Sequence, residues 1–109
     1  MNQELAAIET ERRGDQLVVS LGGEIDLSNA QPVQQRIEQA VEGASDVVVD
    51  LSAVEYIDSQ GLRLLSQLIR RFAREGWRLR LVAPPGSFAR GVLDLTRISE
   101  DVEVLDAVA

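Results

Sequence analysis

The sequence contains no cysteine and no histidine. Without cysteine there is no disulfide bond, thiolate nucleophile or cysteine metal ligand, and without histidine there is no imidazole base or ligand. Carboxylate, hydroxyl and arginine chemistry remains, but a magnesium site would need converging acidic side chains, and the sequence shows no such pattern. We therefore expect a protein that is not an enzyme and that has no catalytic residues, no metal site and no cofactor.

Aromatic residues and positive charge are also scarce. One tryptophan, one tyrosine and two phenylalanines stand in a chain that is 45% apolar, so we expect an aliphatic core in a single domain, residues 1–109. The formal net charge of -7 argues against nucleic acid as a partner, because phosphate binding depends on clustered cations. No apolar run approaches the ~20 residues of a membrane-spanning helix, and the N-terminus lacks the apolar stretch of a signal peptide. We expect a cytoplasmic protein that does not insert into membranes.

Alternating and continuous apolar runs predict the strands. An N-terminal β-hairpin is expected around the turn Arg13-Gly14-Asp15, and Gly22-Gly23 ends its second strand. The apolar run at residues 46–51 suits a central parallel strand that is covered on both faces. The expected strands are residues 5–12, 17–21, 46–51, 79–83 and a short last strand near 102–105.

Apolar residues at helical spacing predict three helices. The first begins near Ser28, which has the spacing of a capping box with Gln31, and the third is capped by Ser87. The residues expected to face the core are Val33, Ile37, Ala40 and Val41 in the first helix, Leu62, Leu65, Ile69 and Phe72 in the second, and Phe88, Val92 and Leu95 in the third. Because strands alternate with helices of crossover length, the sequence predicts an α/β fold. It is expected to be one domain with a mostly parallel, mixed sheet of four to five strands, an N-terminal β-hairpin and three to four helices.

Polar residues follow the central strand where a helix begins. The segment from residue 47 to 61 carries Asp58 and Ser59 from a buried strand through a short connection to a helix start, and sites in open α/β sheets form at that end of the strands. By local pattern, Asp58 or Ser59 caps the helix and Gly61 allows close packing. Asp26, in the turn after the second strand, is an acid well placed ahead of a helix N-terminus. A cap and a functional site are compatible, so both readings stay open.

The run from Asp50 to Leu64, which contains Asp58-Ser59-Gln60-Gly61, resembles the STAS family, named for sulfate transporters and anti-sigma factor antagonists. Residues 23–26 (GEID) and 79–82 (LRLV) extend the resemblance over nearly the full chain. In the bacterial antagonists, the serine matched here by Ser59 is phosphorylated by the anti-sigma factor, a serine kinase with a histidine-kinase-like ATPase fold, and a PP2C-type phosphatase reverses this. The resemblance implies that the unmodified protein binds the anti-sigma factor and releases sigma, and that phosphorylation blocks binding.

The resemblance also implies a partner-binding surface on a protein that we expect to be monomeric when free. Its residues would be Asp26, Asp58, Ser59, Gln60 and Gly61. An alternative within the family is a non-enzymatic STAS subunit of a larger assembly, such as a lipid-transport ATPase complex, in which Ser59 need not be modified. The tail of an anion transporter is a third reading, which would require a membrane part. Both of the first two readings would keep a serine or threonine at this place, so the sequence leaves them open.

Overall fold

The computed structural model describes residues 7–108, so the predictions for residues 1–6, including the start of the first strand, lie outside the described residues. The strands are β1 (Ala7–Arg13), β2 (Gln16–Ile25), β3 (Asp46–Ile57), β4 (Arg78–Val82) and β5 (Glu103–Leu105). The helices are α1 (Ala30–Ala40), α2 (Ser59–Glu75) and α3 (Phe88–Leu95), and a short 3-10 helix follows at Ile98–Glu100.

The strands lie in the sheet in chain order, with β1 antiparallel to β2 and all other neighbours parallel. This mixed five-stranded sheet, with its N-terminal hairpin and three α-helices, confirms the predicted α/β fold. Each helix connects two adjacent parallel strands, and right-handed connections that progress in one direction place all the helices on one face. Accordingly, side chains from α1, α2 and α3 belong to a single apolar cluster.

The two faces of the sheet are covered differently. The helix-covered face holds the main core, whereas the other face has a smaller apolar cluster. That smaller cluster consists of Val18, Val48, Val82, Leu105 and Val108. Residues 47–49 are fully buried, as predicted for a central strand, but among residues 7–108 no helix contributes to the second cluster. The central strand is buried on both faces, as predicted. On the second face, however, it is covered by side chains of other strands and by Val108.

β3 is much longer than predicted, because it continues to Ile57 where a connection was expected after Leu51. Its pairing with β2 shifts register twice in this second half. Each shift places an extra residue in β3, as in a β-bulge. The buried residues Leu51, Val54 and Ile57 therefore lie three positions apart, and the alternation that identifies a strand is lost.

β2 also continues past the glycine pair that was predicted to end it. Gly22 is packed so closely that a Cβ atom there would lie 3.3 Å from the Cβ of Ala53. Gly23 has φ 86°, a backbone conformation that glycine adopts without steric penalty. The two glycines therefore allow β2 to pass the register shifts and to reach Ile25, instead of ending the strand.

The predicted capping box of Ser28 and Gln31 is wrong. α1 begins after Asn29, and the Ser28 hydroxyl instead donates a 2.6 Å hydrogen bond to Asp26 Oδ1. The buried Asn29 holds the loop, because its Oδ1 accepts from the Asp26 N–H (3.0 Å) and its Nδ2 donates to the Glu24 carbonyl (2.7 Å). Short polar side chains commonly bond to nearby loop backbone in this way, in competition with capping.

α3 is capped as predicted, since the Ser87 hydroxyl accepts from the Arg90 N–H at 3.1 Å, but its inward face was predicted wrongly. Ala89 and Leu93 are buried, whereas Phe88, Val92 and Leu95 are exposed or only half-buried. The small side chain of Ala89 lets this helix pack close to the sheet, which turns the bulkier residues outward.

The other two helices face the core as predicted. In α2, Leu65, Ile69 and Phe72 are buried with Leu64 and Leu68, and Leu62 is half-buried at the margin. In α1, Val33 and Ile37 are buried, as is Val41 just beyond the helix, while Ala40 is half-buried. Within residues 7–108, no helix is long and apolar enough to cross a membrane.

Candidate functional site

The candidate site lies where β2 and β3 end side by side. Ile25 pairs with Ile57, and the Asp58 N–H donates to the Ile25 carbonyl at 3.2 Å. The loop after β2 and the start of α2 therefore meet at the carboxyl edge of the sheet, where open α/β sheets form their sites. The structure thus brings Asp26 and the Asp58-Ser59 pair to the same edge, as the sequence predicted.

Asp58 joins the two chain segments at this edge with one carboxylate. Its Oδ1 accepts from the N–H groups of Gln60 (2.8 Å) and Gly61 (3.1 Å), so of the two residues predicted as the cap of α2, Asp58 or Ser59, it is Asp58. Its Oδ2 accepts from the Leu27 N–H at 3.0 Å. The same side chain therefore fixes the start of the helix and the neighbouring loop.

The environment of Asp58 favours its ionised form. Desolvation by burial would raise the pKa of this carboxyl, but hydrogen bonds from the backbone N–H groups of Gly61, Leu27, Gln60 and Asp58 itself outweigh it and lower the pKa. The site therefore carries a fixed negative charge at neutral pH, directly beside Ser59.

Ser59 is the first residue of α2, and its side chain is exposed. A helix N-terminus has backbone N–H groups without intrahelical partners and the positive end of the helix dipole. Both features offset negative charge, so a phosphate on this hydroxyl can be accommodated without loss of the helix. A modifying enzyme can reach the hydroxyl, because it lies on the surface.

Gly61 allows close packing, as predicted. A Cβ atom at this position would lie 2.7 Å from the Ile25 carbonyl oxygen and 2.7 Å from Ile57 Cγ2, which is far inside van der Waals contact. The buried Gly61 thus holds the start of α2 against β2 and β3. Gln60 is half-buried and lines a shallow hollow between α1 and α2 with Arg63. Contact of Gln60 or Gly61 with a partner stays a prediction.

Asp26 stabilises the loop that precedes α1. Its Oδ1 accepts from both the N–H (3.0 Å) and the hydroxyl of Ser28. The loop residue Leu27 points its large apolar side chain into solvent, with 75% of it exposed. Leu27 was not among the residues expected at the site, although an isoleucine-aspartate-leucine run at a predicted helix start was a visible signal.

Among residues 7–108, the residues around Ser59 belong to no cluster of metal ligands. In the part of the chain that the structure describes, no group of three or more acidic side chains is placed to bind a metal ion. The arrangement offers the exposed Ser59 hydroxyl, fixed carboxylates and an exposed leucine. These groups suit recognition by another protein and modification by another enzyme.

Comparisons with known proteins find relatives along nearly the whole chain. The family model described as STAS domain matches residues 7–109. The anti-sigma-F factor antagonist RsfB of Mycobacterium tuberculosis is 44% identical over 50 residues, which are 45% of this chain and only 41% of that relative. The anti-sigma-B factor antagonist of Staphylococcus epidermidis is 29% identical over 103 residues, covering 89% of this chain and 95% of that protein. A crystal structure of an anti-sigma factor antagonist from Mycobacterium paratuberculosis has a TM-score of 0.82 and 28% identity, over 94% of this chain and 87% of that chain.

Proposed function

This chain belongs to the STAS domain family, and we propose that it is an anti-sigma factor antagonist that acts by partner switching. In its unmodified form it binds an anti-sigma factor that is also a serine kinase with a histidine-kinase-like ATPase fold, and sigma is released. Phosphorylation of Ser59 ends this binding, and a PP2C-type phosphatase restores it. Catalysis belongs to the partners, and the protein itself is a cytoplasmic binding module that is monomeric when free.

The position of Ser59 carries the proposal. It is an exposed hydroxyl at the first residue of α2, beside the ionised Asp58 and the loop that contains Asp26. The names of the relatives in Mycobacterium tuberculosis and Staphylococcus epidermidis support the antagonist role. Asp58, Gln60 and Asp26 form the surface around the hydroxyl that the partner reads, and the buried Gly61 supports that surface by packing.

A phosphate on Ser59 affects the complex and the fold differently. It adds a charge of about -1.5 to -2 next to Asp58. In the free protein, water and the start of α2 offset this charge. In the complex, the phosphate would have to be desolvated against a surface fitted to a neutral hydroxyl, and a buried unpaired charge costs several kcal/mol. Binding is therefore lost while the fold is retained.

The experiment combines phosphorylation with a binding measurement. The purified protein is incubated with ATP and an anti-sigma factor kinase from the same organism. Its intact mass should rise by one phosphate, whereas the mass of Ser59→Ala should not change. The affinity of the phosphorylated protein should be lower by about two orders of magnitude or more, which corresponds to roughly 3 kcal/mol, with the melting temperature little changed. Ser59→Ala should bind regardless of ATP.

Two results would argue against the proposal. One is a stoichiometrically phosphorylated protein that binds the anti-sigma factor as tightly as the unmodified form. The other is no phosphate on Ser59 under any of these conditions. Either result would favour the alternative of a non-enzymatic STAS subunit in a larger assembly.

A further inference from the structure

Large apolar side chains are exposed at the same edge of the sheet as Ser59. The exposed fraction is 75% for Leu27, 45% for Tyr56 and 41% for Phe88. The rings of Tyr56 and Phe88 pack against each other, with 5.7 Å between their centroids. Single exposed apolar residues are normal on a protein surface, but a group at one site marks an interaction surface.

The topology places these side chains on both sides of Ser59. β2, β3 and β4 are consecutive in the sheet. β4 ends opposite Asp50, whereas β3 continues to Ile57, and the segment after β4 reaches the end of β3 because Phe88 packs against Tyr56. Leu27 follows β2, Ser59 follows β3, and Phe88 follows β4 at the start of α3. The phosphorylatable hydroxyl thus lies between an exposed leucine and an exposed aromatic pair.

Leu27 is held in this position by the carboxylate that also caps α2. Asp58 Oδ2 accepts from the Leu27 N–H, while Asp58 Oδ1 accepts from Gln60 and Gly61. The backbone of an exposed loop residue is therefore tied to the helix start that carries Ser59. A protein gains nothing in its own core from a leucine fixed outward in this way, whereas a partner that binds at Ser59 gains a preorganised apolar contact.

We propose that Leu27 and the Tyr56–Phe88 pair are two apolar anchors for the anti-sigma factor, and that Asp58 is the positioning residue that keeps Leu27 beside Ser59. This inference rests on the proposed function, because it assigns the same partner to the same edge. The anti-sigma factor would present an apolar surface on each side of the Ser59 hydroxyl. The exposed Glu24 and Glu55 lie near the anchors on a chain with net charge -7, so the rim of the partner's surface should be basic.

The anchors also explain how the phosphate acts in the complex. Contact of the partner with Leu27 on one side and Phe88 on the other would exclude water from the surface between them. Interface contacts that exclude water in this way make a buried charge more costly. The apolar anchors therefore increase the effect of Ser59 phosphorylation on binding.

Calorimetric titration with the same purified anti-sigma factor tests the anchors, with ADP present so that no phosphoryl group can be transferred. Leu27→Ser and Phe88→Ser should each weaken binding by about tenfold or more, as truncation of a central interface residue does. Leu95→Ser is the matched control. Leu95 is 84% exposed and lies on the same helix as Phe88, roughly 10 Å further along the axis. The affinity of Leu95→Ser for the anti-sigma factor should therefore stay within about twofold of that of the parent protein.

Asp58→Asn tests the positioning role separately from helix capping. Asparagine keeps one oxygen for the Gln60 and Gly61 N–H groups and caps helices about as well as aspartate, but its NH₂ group cannot accept from the Leu27 N–H. The melting temperature should change little, while affinity falls about threefold or more. In a Leu27→Ser background the same substitution should cause a clearly smaller loss, because the anchor that it positions is already absent and only the direct contact of Asp58 with the partner remains.

The outcomes separate this inference from the proposed function. The inference requires losses for both Leu27→Ser and Phe88→Ser. If both variants bind like the parent while Ser59 phosphorylation still abolishes binding, the inference is overturned and the proposed function stands. If Leu95→Ser weakens binding as much as Leu27→Ser, or if the loss from Asp58→Asn is undiminished in the Leu27→Ser background, the inference is also overturned. If the unmodified parent does not bind the anti-sigma factor, both are wrong.

Discussion

The middle of the sheet and its carboxyl edge differ in the regularity of strand pairing and in the burial of their side chains. In the middle, β2 and β3 pair in continuous register, and their inward side chains are fully buried. At the carboxyl edge, the register shifts twice and Leu27, Tyr56 and Phe88 are exposed. The middle carries the free energy of folding, and the edge carries the groups that a partner can read. Substitutions should therefore separate stability from binding.

The largest effect on stability is expected far from the edge, at Phe72. This side chain is fully buried near the end of α2 and packs edge-on against Trp77, with ring centroids 5.4 Å apart. Phe72→Ala should lower the free energy of unfolding by about 3–5 kcal/mol, as buried phenylalanine truncations do. Chemical denaturation measures this change. The exposed Arg70 on the same helix is the control, and Arg70→Ala should be nearly silent; a larger loss there than at Phe72 would contradict the assignment of the buried face.

Gly61 should show an intermediate effect, because it lies at the edge but acts through packing. A Cβ atom would lie 2.7 Å from the backbone oxygen of Ile25, so Gly61→Ala should destabilise the protein by about 1–3 kcal/mol. Better helix propensity, worth about 0.8–1 kcal/mol, acts in the opposite direction. Gly91→Ala isolates that gain, because a Cβ atom in α3 there meets nothing within 4 Å. Equal stabilisation by both substitutions in urea titrations would refute the close packing at Gly61.

The smallest effect should come from the charge of Asp58. Its pKa is lowered in the folded protein, so its ionised form contributes stability fully above the unfolded pKa of about 3.9. That contribution is lost as pH falls from this value through the folded pKa. Asp58→Ala should cost about 0.5–2 kcal/mol at neutral pH, the range for loss of an N-cap. The difference between the thermal melts of the two proteins should begin to shrink only as pH falls below about 4, and it should be smallest below the folded pKa. A constant difference down to strongly acidic pH would show that the carboxylate charge is not the cause.

Regular and irregular segments of the chain also differ in how far their structure could be predicted from the sequence. Residues 46–51 form an apolar run that only a buried strand explains easily, and the spacing of Leu65, Ile69 and Phe72 fits only one face of a helix. Residues 52–57 could not be assigned to a strand, because two register shifts place Leu51, Val54 and Ile57 three apart, a spacing that breaks the alternation of a regular strand. The outward face of α3 was missed because Phe88 and Leu95 have the spacing of a core stripe, and only the close approach of Ala89 to the core shows otherwise.

The candidate site could likewise be predicted only in part. Asp58 and Ser59 stand in a motif at a recognisable helix start, so their location could be inferred from the chain alone. Leu27 and Phe88 belong to the site only because β2, β3 and β4 are neighbours in the sheet. The second hydrogen bond of Asp58, to Leu27, joins residues 31 positions apart, and no local pattern encodes it.

The packing of Gly61 has a consequence for any enzyme that modifies the protein. Because α2 begins in contact with the Ile25 carbonyl and is fixed there by Asp58, the backbone at Ser59 cannot be drawn out into an extended strand without partial unfolding. Under the proposed function, the kinase and the phosphatase that act on Ser59 would therefore have to accept the serine in helical geometry, with the rest of the domain as part of the substrate. A peptide of residues 54–64 is too short to form a stable helix in water, where about 12–15 residues are needed. We expect such a peptide to be phosphorylated far more slowly than the folded protein, which a time course of both substrates with the same kinase would measure.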